Sequence, residues 1–534
     1  MADEFDYVIV GGGSAGCVLA HRLSADRGIS VALLEAGPVD RSKLLHIPVG
    51  AVAYAPRRGR HNWGFETVPQ PGLNGRRGYQ PRGRVLGGSS SINAMIYIRG
   101  HRADYDGWAA MGNRGWSFDD VLPYFKRAEN NERGADPHHG TGGPLNVADL
   151  RSPNPFGRLF LDGGREAGWP SNPDFNGAEQ EGVGPYQVTQ IGGERCSAAR
   201  AYLTPIRDRE NLRIITDAHA ARVLLEGKRA VGVEYVQGGT PRSIRCAREV
   251  ILSAGTCQSP QLLMLSGIGS SAALQRIGIK PVHDLPGVGR NLQDHIDYLS
   301  CFRADSTELF GISAGGARRL WQAWRRYRSE RRDMLTSNFA EFGGFIKSQA
   351  SEPIPDLQLH FVVAMVEDHA RKFHLGHGFS CHVCLLRPHS RGSVSLASGD
   401  PMAAPLIDPK FLDDRLDMEV MVRGFKEIRR LLRQPAFAAY RDAELGAAEV
   451  ETDRDIANII RDRADTVYHP VGTCKMGVDA DAVVDPELRV RGIERLRVVD
   501  CSIMPRIIGG NTNAPAVMIG EKAASMILEG KSRT

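Results

Sequence analysis

Residues 6–37 read DYVIVGGGSAGCVLAHRLSADRGISVALLEAG. Tyr7 to Val10 is an apolar run of strand character, and Gly11, Gly13 and Gly16 follow it as G-x-G-x-x-G. Ala15 to Leu23 has helical composition, and a second apolar strand, Val31 to Leu34, ends at Glu35. Strand, glycine turn, helix, strand and terminal acid together form the βαβ dinucleotide fingerprint. Gly11 permits the tight turn, Gly13 lets a pyrophosphate approach the backbone, and Gly16 lets helix and strand pack closely. The helix start, around Ser14 and Ala15, offers free N–H groups and a positive dipole end to phosphates. Glu35, followed by Ala36, sits where an acid accepts from a ribose hydroxyl. An acid there disfavours a 2′-phosphate, so the expected ligand is FAD or NAD.

Composition narrows the class. At 534 residues and 42% hydrophobic, the chain can bury a large core, and a net charge of +5 with no basic recognition motif gives no reason to expect nucleic acid. Nine scattered cysteines do not read as a secreted disulfide framework. The one C-x-x-C, Cys381 and Cys384, lies in the apolar run FSCHVCLL and reads as buried strand thiols, so no metal site is expected. The N-terminus enters the first strand without a signal-peptide pattern, and no apolar run reaches the ~18 residues of a membrane span. The expectation is a cytoplasmic protein.

Further along, LRIITDA, ARVLLEG, AVGVEYV and EVILSAG, within 212–255, read as strands, as do 357–366 and 379–386. Residues 415–433 have helical apolar spacing. Residues 38–115, rich in Gly, Arg and Asn, read as an extended ligand-covering segment. The tail returns to dinucleotide-domain character: a strand at 496–500, then a helix over 514–529 with Asn513 as cap and Gly530 after its end. Two interleaved domains fit this order better than beads on a string.

Three more segments carry chemistry. GRVLGGSSSINAMIYIRGHRADYDGW (83–108) is a glycine- and serine-rich loop able to lie flat on a large planar ligand. GTCQSPQLLMLSGIG (255–269) reads as a helix begun at Ser259-Pro260. YHPVGTCKMG (468–477) is followed by GGNTNAP (509–515). His469 lies among turn formers, and Asn511 lies just before a helix start. A histidine can take a hydroxyl proton near neutral pH, and an asparagine can orient the same oxygen.

Taken together, these segments resemble the glucose–methanol–choline (GMC) family of flavoprotein oxidoreductases, from Asp6 to Leu528, with complete signatures at Gly83–Asp106 and Gly255–Gly269. Within it, the chain is most similar to bacterial FAD-dependent alcohol dehydrogenases of the choline dehydrogenase-like branch. The resemblance implies an α/β (mixed α+β) fold. An FAD-binding Rossmann-like domain (1–155, 200–300 and 464–534) would interleave with an antiparallel-sheet substrate domain (156–199 and 301–463). FAD contacts carry over to Gly11, Gly13, Ser14, Ala15, Gly16, Glu35, Ala36, Arg84, Gly87, Gly88, Ser89, Asn93, Ala94, Val223, Asp500, Asn511 and Thr512. His469 and Asn511 match the family's active-site pair. Glu341 resembles the acid that choline-oxidising members place near the substrate cation, although relatives acting on uncharged alcohols share the segment. His360 and Tyr468 are further substrate-side candidates. Members that link flavin covalently use a histidine just before the signature Asn; here that position is Ile92, so FAD is expected to be non-covalent.

The implied reaction oxidises a primary alcohol to an aldehyde. His469 removes the hydroxyl proton, Asn511 holds the oxygen, and a hydride passes to flavin N5. Electrons then go to a quinone or other respiratory-chain acceptor. An oxygen-using aryl or furfuryl alcohol oxidase and a choline dehydrogenase are the alternatives. A disulfide reductase would need a second nucleotide fingerprint, and none is found; lyase or photodecarboxylase members would not turn over an alcohol. Oligomeric state is not legible. Residues 317–332, ARRLWQAWRRYRSERR, place Leu320, Trp321, Trp324 and Tyr327 on one helix face among seven arginines. This suits peripheral attachment to the inner face of the cell membrane, the alternative being a Trp stripe packed on the substrate domain.

Overall fold

A computed structural model describes residues 4–372, 374–447 and 449–530. The fingerprint folds as its spacing dictates: strand Glu4–Val10, helix Ser14–Leu23 and strand Val31–Leu34. All four residues of the second strand are buried, as expected for a parallel strand covered on both faces. The sheet runs Leu212–Ile215, Val31–Leu34, Glu4–Val10, Thr240–Leu252, Arg229–Gln237, Ala218–Glu226, with Leu496–Val498 also pairing to Thr240–Leu252. The pairs around the fingerprint are parallel, and those from Ala218 to Leu252 form antiparallel hairpins.

A second sheet is antiparallel throughout its path: Asp465–Thr466, Ile296–Arg303, Gly376–Leu385, Leu357–Val362, Ala340–Ile346, Gly182–Pro185. The boundary expected at 300/301 falls inside strand Ile296–Arg303, and Asp465–Thr466 pairs with that strand from beyond 463/464. The period-two alternation of strands sorts its side chains by face. Leu357, Leu359 and Phe361 pack against Met421, Phe425 and Ile428 of helix Arg415–Leu432, whereas His360 and Val362 face a cavity. Cys381 and Cys384, three residues apart, therefore point to opposite faces, in separate apolar clusters. They cannot form a redox or metal pair, and among the described residues no His, Cys, Asp and Glu group has metal-site spacing.

Three expectations need correction. The last helix begins at Asn513 itself and includes Gly530, and the Asn513 side chain accepts a hydrogen bond from Ser14 Oγ at 2.7 Å. It joins two helix starts. The covering segment is not extended throughout: Arg102–Ala110 is a helix, closed by a capping box between His101 and Asp104. In helix Ala314–Glu330 the expected single aromatic face is split. Ala323 and Tyr327 are buried against Met334, Leu335, Ile47 and Val49, while Trp321 and Trp324 are 54% and 46% exposed. Arg325 and Arg328 lie over the two half-exposed rings, their guanidiniums 5.0 and 4.9 Å from the ring centres. Among the described residues no helix is long and apolar enough to cross a membrane.

Candidate active site

A cavity of about 1070 Å³ lies between the two sheets. One end is lined by backbone. Gly11 has φ +106°, and a Cβ there would sit 2.3 Å from Ser253 O; a Cβ on Gly16 would sit 1.9 Å from Gly11 O. Only glycine fits either place. The 83–108 loop closes on the same turn: Gly87 N–H donates to Gly12 O at 2.7 Å, and a Cβ on Gly88 would lie 2.7 Å from Gly13 Cα. Gly16 and Gly87 build the cradle from behind. Gly11, Gly13, Ser14, Ala15, Glu35, Ala36, Gly88, Ser89, Asn93, Ala94, Asp500, Asn511 and Thr512 line the cavity.

The polar groups at this end are held firmly. Glu35 accepts from Gly12 N–H (2.9 Å) and Gly37 N–H (2.7 Å), and its burial pushes its carboxyl up to about 7. Asp500 accepts from Gly255 N–H (2.9 Å) and Ser259 Oγ (2.5 Å), which ties the 255–269 segment to the tail. Asn93 Oδ1 accepts from Arg195 at 2.8 Å. Two helices begin here, Ser14–Leu23 and Asn513–Gly530. They cross closely because Gly520 lies against Val18 and Ala15. Their N-termini suit phosphate and other negative charge. Ser253 also lines the cavity, and its buried Oγ has no protein partner. A glycine cradle, paired helix starts, an acid at the strand end and an unpartnered hydroxyl fit FAD. Val223 does not line this space; its N–H donates to Ser266 Oγ at 2.8 Å, and Ala218, His219 and Ala220 line it instead. Arg84 also stands off the lining, its guanidinium 4.7 Å from the Trp63 ring.

The other end is built of side chains. His469 and Asn511, 42 residues apart, meet with Nε2 and Nδ2 separated by 3.2 Å. His469 Nδ1 lies 3.0 Å from His295 Nδ1, and the His469 backbone N–H donates to Asp294 Oδ1 at 2.9 Å. Burial holds the His469 ring well below the ordinary imidazole range, and His295, His360 and Arg82 add to the effect. The ring is therefore neutral near pH 7 and able to accept a proton. Tyr468 sits at φ +73°, its carbonyl accepting from Arg82 at 2.7 Å and its hydroxyl 2.5 Å from His369 Nδ1. His360 lines the cavity, pushed down to about 3 by burial and then by His382 and His295. Phe310, Phe339, Val362, Val366 and Val467 complete an apolar lining. Glu341 does not reach it. Buried at 1% exposure, Glu341 accepts from Asn154 N–H (2.6 Å) and Ser337 Oγ (2.5 Å), and burial pushes its carboxyl up to about 7. The sequence reading missed His295 and Gln358; the run LPGVGRNLQDH (285–295) contains the first, but nothing local marks it as a neighbour of His469.

The fold and cradle define an FAD-dependent oxidoreductase. Residues 5–297 and 388–520 match family models described as GMC oxidoreductase, and the chain belongs to that family. It is 49% identical over 529 residues to an alcohol dehydrogenase [acceptor] of Pseudomonas putida, covering 98% of this chain and 96% of the relative. It is 44% identical over 533 residues to an oxygen-dependent choline dehydrogenase of Brucella ovis, with the same coverage. Among solved structures it is similar to pyridoxine 4-oxidase from Mesorbium loti, with a TM-score of 0.89, 32% identity, and 98% and 99% of the two chains covered.

Proposed function

We propose that this enzyme oxidises an uncharged primary alcohol to an aldehyde and delivers the electrons to a quinone-type acceptor. One observation carries the substrate reading: the His469–Asn511 pair opens onto an apolar lining, and Glu341, the carboxylate that would favour a cationic alcohol, is turned away and bonded elsewhere. FAD, when bound, supplies the hydride acceptor. His469 Nε2 takes the hydroxyl proton as the hydride leaves the carbinol carbon. Asn511 Nδ2 donates to the same oxygen and orients it. The N-terminus of helix Asn513–Gly530 adds positive potential beside them. Gly11, Gly13, Ser14, Glu35, Asn93 and Asp500 would hold FAD, and Ile92, which lines the cavity, offers no atom for a covalent link.

The P. putida relative is an alcohol dehydrogenase [acceptor], which supports a non-oxygen acceptor here. The surface supports access from an anionic bilayer. Leu320 lines the cavity at 38% exposure, and Trp321, Trp324 and Ile312 stand exposed beside it among the arginines of helix Ala314–Glu330. The deciding experiment is anaerobic flavin bleaching across a panel of aliphatic alcohols and choline, then re-oxidation by oxygen or a quinone analogue. Bleaching by aliphatic alcohols with fast quinone re-oxidation is expected. Preferential bleaching by choline would favour the choline dehydrogenase reading, and stoichiometric hydrogen peroxide the oxidase.

A further inference from the structure

We propose that the antiparallel sheet sets the proton pattern of His469: one hydrogen-bond chain through His295 and another through Gln358 hold its hydrogen on Nδ1 and leave the Nε2 lone pair facing the cavity. This rests on His469 being the proton acceptor. His295 and Gln358 then act as positioning residues.

The first chain starts from a carbonyl, which can only accept. Leu386 O lies 3.1 Å from His295 Nε2, so that nitrogen carries the hydrogen. His295 is fully buried, and burial pushes it down to about 4, so its ring is neutral and Nδ1 is a bare lone pair. His469 Nδ1 lies 3.0 Å away. Two lone pairs would repel at that distance, so the His469 hydrogen sits on Nδ1, and Nε2 carries the lone pair.

The second chain starts from a different strand. The Tyr186 hydroxyl donates to Leu359 O at 2.6 Å, so its oxygen is available to accept from Gln358 Nε2 at 3.2 Å. The same Gln358 nitrogen donates to Asn511 Oδ1 at 3.0 Å. With its oxygen engaged, Asn511 presents its amino group to His469 Nε2, which must again be a lone pair. The two chains approach the ring from opposite sides and reach the same tautomer.

The reverse pattern is internally unfavourable. Flipping both amides and exchanging the tautomers of both imidazoles would place His295 Nε2 as a lone pair against Leu386 O, leaving buried acceptors facing each other. The arrangement also fits turnover. When His469 Nε2 gains a proton, its Nδ1–H keeps the same bond to His295, and only the Asn511 amino group must release Nε2.

Nitrogen-15 NMR of histidine-labelled protein tests this, with and without FAD, the His469 signals being assigned by their loss in His469→Ala. The wild-type ring should show the Nδ1–H form. His295→Ala should give mixed tautomers and lower kcat by about 10- to 100-fold, the worth of a residue that orients an active-site histidine, while KM and FAD content stay unchanged. His295→Gln, with one accepting and one donating atom in similar places, should restore the tautomer and most of kcat. An unchanged Nδ1–H signal in His295→Ala would overturn the proposal. So would a folded His295→Gln as slow as His295→Ala. If His295→Ala does not fold, His295→Gln decides. Undiminished flavin reduction in His469→Ala would instead sink the base assignment, and the tautomer spectrum reports independently of it.

Discussion

The two ends of the cavity are made of different materials. The dinucleotide end is backbone: glycines at van der Waals contact, two helix starts, and N–H groups aimed inward. The other end is side chains: His469, Asn511 and His360 against an apolar lining. Each end also has a buried carboxylate pushed up to about 7 by burial, Glu35 at the first and Glu341 near the second, yet only Glu35 faces the cavity. A ligand recognised through phosphates and ribose is met by local backbone geometry. On the proposed reading, a substrate recognised through one hydroxyl is met by groups that distant segments bring together.

Substitutions can separate the two ends. The largest effect expected is all-or-none: acid precipitation should release every flavin into the supernatant, because Ile92 offers no linking atom. Flavin left in the pellet would show that the backbone end holds its ligand by a bond. Next, His469→Ala should retain the flavin spectrum and slow alcohol-driven flavin reduction by about 10²- to 10⁴-fold. Loss of flavin with normal turnover of what remains would erase the distinction between the ends.

Gly16→Ala is the mirror experiment. Its Cβ would lie 1.9 Å from Gly11 O, so the helix must move. A cost of about 1–3 kcal/mol is expected, as for overpacking elsewhere. Flavin content and melting temperature should fall together, with kcat per bound flavin preserved.

The carboxylate pair gives a pH test. Both side chains are raised from 4.5 to about 7 in the folded state, so ionisation opposes folding. Their contribution is fully present below the unfolded value and lost as pH rises through about 7. Melting of flavin-free protein should therefore drop between those values, by up to about 3 kcal/mol per group. Glu341→Gln and Glu35→Gln should each flatten that slope. Only Glu35→Gln should weaken flavin retention, and neither should alter the rank of alcohols. A raised KM for every alcohol in Glu341→Gln would place that carboxylate at the substrate after all.

The smallest effect concerns the outer surface. Replacing Arg325, Arg326 and Arg328 by Gln should abolish sedimentation with anionic liposomes at low salt and leave dye-linked activity intact, since screening acts on surface charge alone. If the unaltered protein ignores such liposomes, the exposed Trp pair serves something other than a bilayer.

What the sequence by itself determined is the dinucleotide end. Strand period, glycine spacing and the acid at Glu35 fall within about thirty residues, and there backbone sterics leave few alternatives. His469 and Asn511 stood out through resemblance to family motifs, among turn formers and before a helix start, and the fold brings the two together. Tertiary structure alone decided the rest. His295 meets His469 across 174 residues of chain, and Gln358 meets Asn511 across 153. Glu341 lies on a strand that could have presented it either way; Ala340 faces the cavity, and Glu341, on the opposite face, is held by bonds from Asn154 and Ser337. Helical spacing grouped Trp321, Trp324 and Tyr327, but packing by Met334, Leu335, Ile47 and Val49 buried only the last. Periodicity reports which residues share a face of one element. Which face meets another element, and which hydrogen bonds close there, depends on partners that no local pattern contains.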